Sequence, residues 1–329
     1  MAFFKRTEPT AVPAAVQHRR ETQLPVQAPE TKNGLRDFWQ HWDYLLSMVP
    51  ELAEFGVPVL DAIGLTLNES ILAEKDVGTI KTSQVLIDKG TKVSPRMIPL
   101  LAGMGIVKVI ARPSPRVLVI ALSASAVAAS YWVAAELQAA GAQAHRLEFI
   151  SYAEPQLITA ITEQLVRADL VVTLGGLGEA GAVGHTASDL RAVAAAIGAN
   201  DFTPVAISPG SDHGFILAEE KVPLLALPAE VYPVFVLTKL LLEPMVAKLM
   251  GAGTDPVMSS AYLAQPLRID PGVLTCVPAM VRDARMTISG RPRGLEGMNQ
   301  IYHADALAIL TSEYGLVDAG AEVFYLPLN

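Results

Sequence analysis

One cysteine in 329 residues, Cys276, rules out an internal disulfide framework and a zinc site built on several thiolates. It lies in the apolar run Val273-Leu274-Thr275-Cys276-Val277, which reads as a packed strand residue, and the poverty in thiols fits a reducing, cytoplasmic compartment. Basic residues are also short: 25 Lys and Arg stand against 33 Asp and Glu, a net charge of −8. Such a balance argues against nucleic acid as a partner, because phosphate-backbone binding needs a basic face to release counterions. No apolar run reaches the roughly twenty residues of a membrane-spanning helix. The longest candidate, from Val231 to Met250, is broken by Lys239, Glu243 and Pro244, so no membrane span is expected. Met1 to Arg6 is basic, but a polar stretch follows in place of an apolar signal core, which predicts no secretion signal.

What the chain does have is apolar residue: 51% of the sequence, enough to bury more than one core. Residues 1–34 contain little of it and read as a disordered tail. Leu35 to Ala53 carries Phe38, Trp42, Leu45, Leu46 and Val49 at helical spacing and predicts one amphipathic helix ending near Pro50, its aromatic face packed internally or across a dimer. Ser94-Pro95-Arg96 starts a helix over residues 97–104 that Gly105 ends. Beyond Arg116 the pattern becomes regular: strand 117–121, helix 127–140, strand 146–150, helix 155–166, strand 170–174, helix 188–197. Strands 205–207 and 222–227 follow, then a long helix over residues 232–250. Alternation of this kind predicts a mostly parallel sheet between two helical layers, an α/β/α domain. The last 75 residues, with short apolar runs among many turn formers, predict a small all-β barrel or sandwich. The expected division is 1–34 tail, 35–112 N-terminal mixed helix/strand segment for dimerisation and linkage, 113–251 α/β domain, and 254–329 β-domain.

Three loops should meet at the carboxyl edge of the sheet, where α/β proteins bind ligands. The first follows Leu170-Val171-Val172-Thr173-Leu174 into Gly175-Gly176-Leu177-Gly178-Glu179-Ala180-Gly181. Its glycines permit close backbone approach to a phosphate or ring. The second is Ser208-Pro209-Gly210-Ser211-Asp212-His213-Gly214. The third, Leu227-Pro228-Ala229-Glu230, opens the long helix, and Glu230 there repels an anion that the helix N-terminus would otherwise attract. Gly176 to Gly181 matches G-x-G-x-x-G literally, but it follows the third strand instead of the first and does not run straight into a helix, so a nicotinamide-binding reading rests on that match alone. Glu179, Asp212 and Glu230 are the carboxylates available for a metal such as Mg2+, but isolated carboxylates on surface loops are more often solvated. His185 and His213 lack metal-ligand spacing and read as ordinary loop histidines. Ser123, Ser125 and Ser130 have no nucleophile-elbow setting.

The loops resemble those of the MoeA/gephyrin family, whose central domain is of the MoaB/Mog-like molybdopterin-binding type. The resemblance rests on Val172-Thr173-Leu174-Gly175-Gly176, Ile207-Ser208-Pro209-Gly210 and Leu224-Leu225-Ala226-Leu227-Pro228. It extends to Pro58–Gly64, Val85–Pro95, Ala102–Ile106 and His303–Leu310. It implies a molybdopterin-binding-like fold, a homodimer, and insertion of molybdenum into adenylylated molybdopterin with Mg2+. By that resemblance the cofactor-contacting residues are Thr173, Gly175, Gly176, Gly178, Gly181, Ser208, Gly210, Ser211 and Pro228. Gephyrin-type members also act as scaffolds, which implies the alternative of a non-catalytic protein that binds a protein partner. Departures are just as specific. A short connector between Asp76 and Gln84 stands where the family has an inserted domain. Ser208 and Ser211 replace the lysines of K-P-G-K-P, Glu230 replaces the asparagine of P-G-N-P, and Gly181 falls where an aspartate holds the metal. The combined expectation is a shortened MoeA-like protein with transferase chemistry impaired or lost, no catalytic residue assigned and no metal site assigned.

Overall fold

The computed structural model describes residues 23–150, 153–177, 190–219 and 221–328, with the side chains of residues 295 and 296 excepted. Residues 1–22 of the expected tail lie outside the described residues, and the remainder of it contains regular structure. Strand β1 (Thr31–Lys32) pairs antiparallel with β2 (Leu35–Arg36) across Asn33 and Gly34, whose φ values of 54° and 79° are those a two-residue hairpin turn demands. The Asn-Gly pair, lying inside the stretch expected to be tail, is the sequence signal for this turn. Because residues 35 and 36 are extended, helix α1 is shorter than the periodicity suggested: it runs Phe38–Ser47, and the Asp37 carboxylate accepts the Gln40 N–H at 3.0 Å as its N-cap.

After α1 come β3 (Phe55–Pro58), β4 (Thr66–Leu67), β5 (Ile71–Leu72), β6 (Val85–Ile87), α2 (Ile98–Gly103) and β7 (Lys108–Arg112). They form a small separate unit with its own core around Val57, Leu67, Leu101 and Val109. The stretch 35–112 is therefore not one body. Helix α1 leaves this unit and packs Phe38, Trp42, Leu45 and Leu46 into the core of the central domain. That face is packed within the chain, the first of the two alternatives its periodicity allowed, so the dimer interface assigned to this helix does not use it.

The central domain contains β8 (Arg116–Ala121), α3 (Val127–Ala140), β9 (Gln143–Glu148), α4 (Glu154–Leu165), β10 (Leu170–Leu174), α5 (Leu190–Ile197), β11 (Gly198–Asp201), β12 (Ile207–Ser208), β13 (Gly214–Ala218), β14 (Val222–Leu227), α6 (Val231–Leu237) and α7 (Glu243–Leu249). Six strands make its sheet in the order β11-β13-β14-β10-β8-β9. The inner strands β14, β10, β8 and β9 are parallel, and β13 and β11 extend the sheet antiparallel. Residues of α1, α3, α6 and α7 cover one face, and those of α4 and α5 the other. Strands β8, β10 and β14 are buried nearly throughout, which is why they read as continuous apolar runs instead of alternating ones. The run Gly214–Ala218, which the sequence reading left unassigned between its strands 205–207 and 222–227, is a fully buried strand.

Between α6 and α7 the helix passes through one π-turn, Thr238–Leu242. Pro244 lies just beyond, and a proline has no N–H to give the carbonyl four residues back. That carbonyl is Leu240 O, and the indole N–H of Trp42 donates to it at 2.9 Å. The expected single helix over residues 232–250 is thus interrupted just before Pro244, and the interruption is the docking point for α1.

The C-terminal domain holds β15 (Ser259–Leu263), β16 (Leu267–Arg268), β17 (Leu274–Arg282), β18 (Arg285–Ile288), α8 (Gly294–His303), β19 (Ala306–Leu310), β20 (Leu316–Val317) and β21 (Glu322–Pro327). The pairings β17–β18–β15–β21–β19–β17 close a five-stranded barrel. Two sequence expectations need correcting here. The domain is not all-β, since α8 crosses between β18 and β19; Gly290, Pro292, Gly294 and Gly297 disguise the helix as turns. Nor does the sheet belong to residues 254–329 alone, because β12 pairs in parallel with Leu274–Thr275 of β17. Cys276 is a fully buried strand residue of the barrel, and burial pushes its thiol pKa up.

Candidate functional site

Strands β8, β10 and β14 end side by side. Leu122 N–H donates to Leu174 O, and Gly175 N–H to Leu227 O, both at 2.9 Å. The loop after β10 and the loop after β14 are therefore adjacent at the carboxyl edge. Gly175 and Gly176 have φ of 88° and 81°, a backbone region that a side chain disfavours by about 1–2 kcal/mol, and both are buried. Thr173 is fully buried in β10, and its hydroxyl finds no hydrogen-bond partner among the described residues. Gly178, Gly181, Glu179 and His185 lie outside the described residues. Pro228 directly follows β14. Glu230 is exposed at the N-cap position of α6, and its carboxylate makes no capping hydrogen bond.

A cavity of about 580 Å3 opens beside this edge. Ser125, Ala229, Glu230, Val231 and Tyr232 line it from the central domain, and residues of the segment Pro292–Ile301 line it from α8 and its approach. Tyr232 also ties the two domains, its hydroxyl donating to Cys276 O. Sequence reading finds Glu230 but misses Arg293, which stands at the N-cap of α8 and is the one cation among the described lining residues. Its signal is hidden by the turn-like composition of α8 and its approach.

The second loop is built differently. Strand β12, where it begins, belongs to the barrel sheet and not to the central one, and β13, where it ends, runs antiparallel to β14. Ser208 and Gly210 do not line the cavity. Gly210 has φ 107°, and a Cβ there would lie 2.9–3.1 Å from the Leu237 side chain. Its lack of a side chain leaves the room that Leu237 of α6 occupies. The Ser211 hydroxyl is spent on Val205 O at 2.8 Å.

His213, read as an ordinary loop histidine, is buried in a polar chain. Its Nδ1 lies 2.7 Å from Gly210 O, and its Nε2 lies 2.9 Å from Nε2 of His41. His41 Nδ1 is 3.1 Å from Arg36 Nη1, which also donates to Asp201 Oδ2 at 2.8 Å. Burial, then the neighbouring His213 and Arg36, depress the His41 pKa to about 2, and burial lowers that of His213. Burial by itself would raise the Asp201 carboxyl; hydrogen bonds from Thr203 and Arg36 overcome this and hold it low. No sequence spacing joins residues 36, 41, 201 and 213, so only the fold reveals the chain.

In the connector between Asp76 and Gln84, Asp76 closes a tight loop. Its carboxylate accepts from Lys81 Nζ at 2.9 Å and from Thr82 N and Oγ1, both at 2.8 Å. Among the described residues no group of three or more His, Cys, Asp and Glu could hold a metal ion. No helix among them is long and apolar enough to cross a membrane.

The α/β core joined to a β-barrel defines the class to which solved structures add detail. A molybdenum cofactor biosynthesis protein from Pyrococcus furiosus superposes with a TM-score of 0.69 at 20% identity, over 88% of this chain and 98% of that one. A molybdopterin biosynthesis MoeA protein from Pyrococcus horikoshii gives 0.71 at 13% identity over 88% and 99%. In sequence the chain is 28% identical over 186 residues to molybdopterin molybdenumtransferase 1 of Mycobacterium tuberculosis. That match spans 52% of this chain and 42% of the relative, under half the relative's length. No protein-family model matches. The chain thus shares the fold of these MoeA proteins and is similar in sequence to the transferase over about half of its length, the likeness its three loops suggested.

Proposed function

We propose that the protein binds a molybdopterin-type ligand at the carboxyl-edge cavity and works in molybdenum cofactor biosynthesis without efficient molybdate insertion. The observation that carries this reading is the lining of the cavity: a MoeA-like frame is retained, yet Arg293 is the single described cation and Glu230 stands opposite in sign at the start of α6. Charge-assisted hydrogen bonds to a phosphate or molybdate are worth roughly 1.5–3 kcal/mol each, so each cation missing from the lining weakens an anion site by about tenfold or more. Arg293, reaching in from the C-terminal domain, supplies one such bond and favours a single phosphate over a second anion. The described residues do not fit Mg2+, which needs several hard oxygen ligands, because Glu230 is the only carboxylate among those lining the cavity.

The test is titration of the purified protein with molybdopterin and with adenylylated molybdopterin, with and without Mg2+, followed by a molybdate-insertion assay. Micromolar binding that Mg2+ leaves unchanged, lost roughly tenfold or more in Arg293→Ala, is the expected result. Nanomolar binding with turnover would replace this reading with an active transferase. Absence of binding, together with capture of a defined protein partner, would favour the scaffold reading. A homodimer, implied by the family likeness, would in this protein have to use surfaces other than the buried face of α1.

A further inference from the structure

The polar chain under the second loop has a feature that distances alone determine. Gly210 O only accepts, so the His213 nitrogen facing it, Nδ1, carries a proton. Arg36 Nη1 only donates, so the His41 nitrogen facing it, Nδ1, carries none. The two Nε2 atoms meet at 2.9 Å and need one proton between them. With His213 neutral its Nε2 is a bare acceptor, and the proton belongs to His41. This assignment satisfies every contact: Arg36 donates to Asp201 and to His41, His41 donates to His213, and His213 donates to Gly210 O. A proton added to either ring places a donor against a donor in a site where His41 and His213 are each 3% exposed. The neighbouring charged and titratable groups are Arg36 and Asp201 in the chain itself, Tyr44 beside His41 at a ring separation of 6.2 Å, and Asp212 next to His213 in sequence. Burial opposes a charged His213 and outweighs the Gly210 carbonyl, Asp212 and Asp201, which favour it.

We infer that His41 and His213 are locked as neutral rings in opposite tautomers, and that this one-directional chain is a positioning device fixing the Ser208–His213 loop to helix α1. Its two ends come from distant parts of the sequence. Arg36 is held by its own backbone, its N–H donating to Pro204 O at 2.9 Å and its carbonyl accepting from Ala206 N–H at 2.8 Å. The loop is clamped on its other side by Leu237 against Gly210. Between these two contacts the Gly210 carbonyl has no freedom to turn, and the path from β12 of the barrel to β13 of the central sheet is fixed. His41 and His213 do not line the cavity, so they are positioning residues and not ligand contacts. Their effect on binding rests on the function proposed above; the tautomer assignment does not.

The experiment has two arms on the full chain. Long-range 15N–1H correlation spectra of the imidazoles, recorded at pH 7.5 and pH 5, should show His213 protonated at Nδ1, His41 protonated at Nε2, and neither charged at the lower pH. The same tautomer for both rings, or an imidazolium at pH 5, overturns the inference. In the second arm, His41→Phe removes the donor to His213, whereas His41→Gln keeps an Nε2–H at the corresponding place. Molybdopterin affinity should fall roughly tenfold in His41→Phe and stay within about threefold of the parent in His41→Gln, with both variants retaining the parent's circular dichroism. Equal losses in the two variants would reduce the chain to a packing role. If the parent itself binds no molybdopterin, the function proposed above fails while the spectra still decide the tautomers.

Discussion

The loop after β10 and the loop after β12 both carry glycine at positive φ, yet the molecule uses them in opposite ways. At Gly175 and Gly176 the backbone turns away from a buried strand toward an edge where strands β8, β10 and β14 terminate together, and the conformation itself is what glycine provides. At Gly210 the conformation is only half of the requirement, because Leu237 occupies the space of the missing side chain. One loop is built at the edge where a ligand would come; the other is sandwiched between α6 and the histidine pair. Glycine in a loop that resembles a known binding loop therefore does not by itself identify a contact residue. At Gly210 the vacant Cβ position faces the Leu237 side chain.

The contrast is sharpest in a paired substitution. Gly34 has φ 79° with nothing within 4 Å of where a Cβ would lie, whereas Gly210 combines φ 107° with the Leu237 contact. Gly34→Ala should then cost only the backbone term, about 1 kcal/mol, and Gly210→Ala that term plus overpacking, roughly 2–4 kcal/mol in all. Urea unfolding of the two variants measures the difference. Equal costs would show that Leu237 yields freely and that the second loop is no more clamped than the N-terminal hairpin.

Acid separates the two regions next. Histidines kept neutral in the folded chain but free to protonate near pH 6.5 once unfolded contribute stability that is complete above that pH and falls as pH drops below it. The folded His41 pKa near 2 places its whole loss within the window from about pH 6.5 downward. For one such ring the loss between pH 7 and pH 5 is about 2 kcal/mol, and the direction is the same for His213. His41→Phe should flatten this part of the stability profile, while Arg293→Ala, at the edge of the cavity, should leave it unchanged. A profile insensitive to His41→Phe would break the distinction between a locked loop and an open edge.

Much of this architecture is legible in the sequence because it follows from local patterns. Helix 127–140 and strand 170–174 coincide with α3 and β10, since an alanine-rich run ending at Gly141 and a β-branched run bounded by Asp169 and Gly175 leave little choice. Strand β13 escapes such a reading because a fully buried antiparallel strand of Gly-Phe-Ile-Leu-Ala carries no alternation to distinguish it from a turn exit. Helix α8 escapes it because four glycines and prolines precede or interrupt the helix, and with it go Arg293 and one wall of the cavity. The polar chain is illegible for a deeper reason. His41 and His213 are 172 positions apart, and each taken alone is an unremarkable residue; only the closing of α1 onto the central domain gives them a common environment.

Helix α1 anchors on both sides, His41 toward the second loop and Trp42 toward the long helix, and the second anchor can be isolated. Trp42→Phe keeps most of the apolar contact and removes the indole N–H, leaving Leu240 O buried without the donor that Pro244 cannot supply. The expected cost is about 1–2 kcal/mol. In a Pro244→Ala background the restored backbone N–H can close the helix onto Leu240 O, so the same substitution should cost about 1 kcal/mol less. A double-mutant cycle on these two positions measures that coupling. If the two effects simply add, Leu240 O does not depend on the indole, and the docking of α1 rests on its apolar face alone.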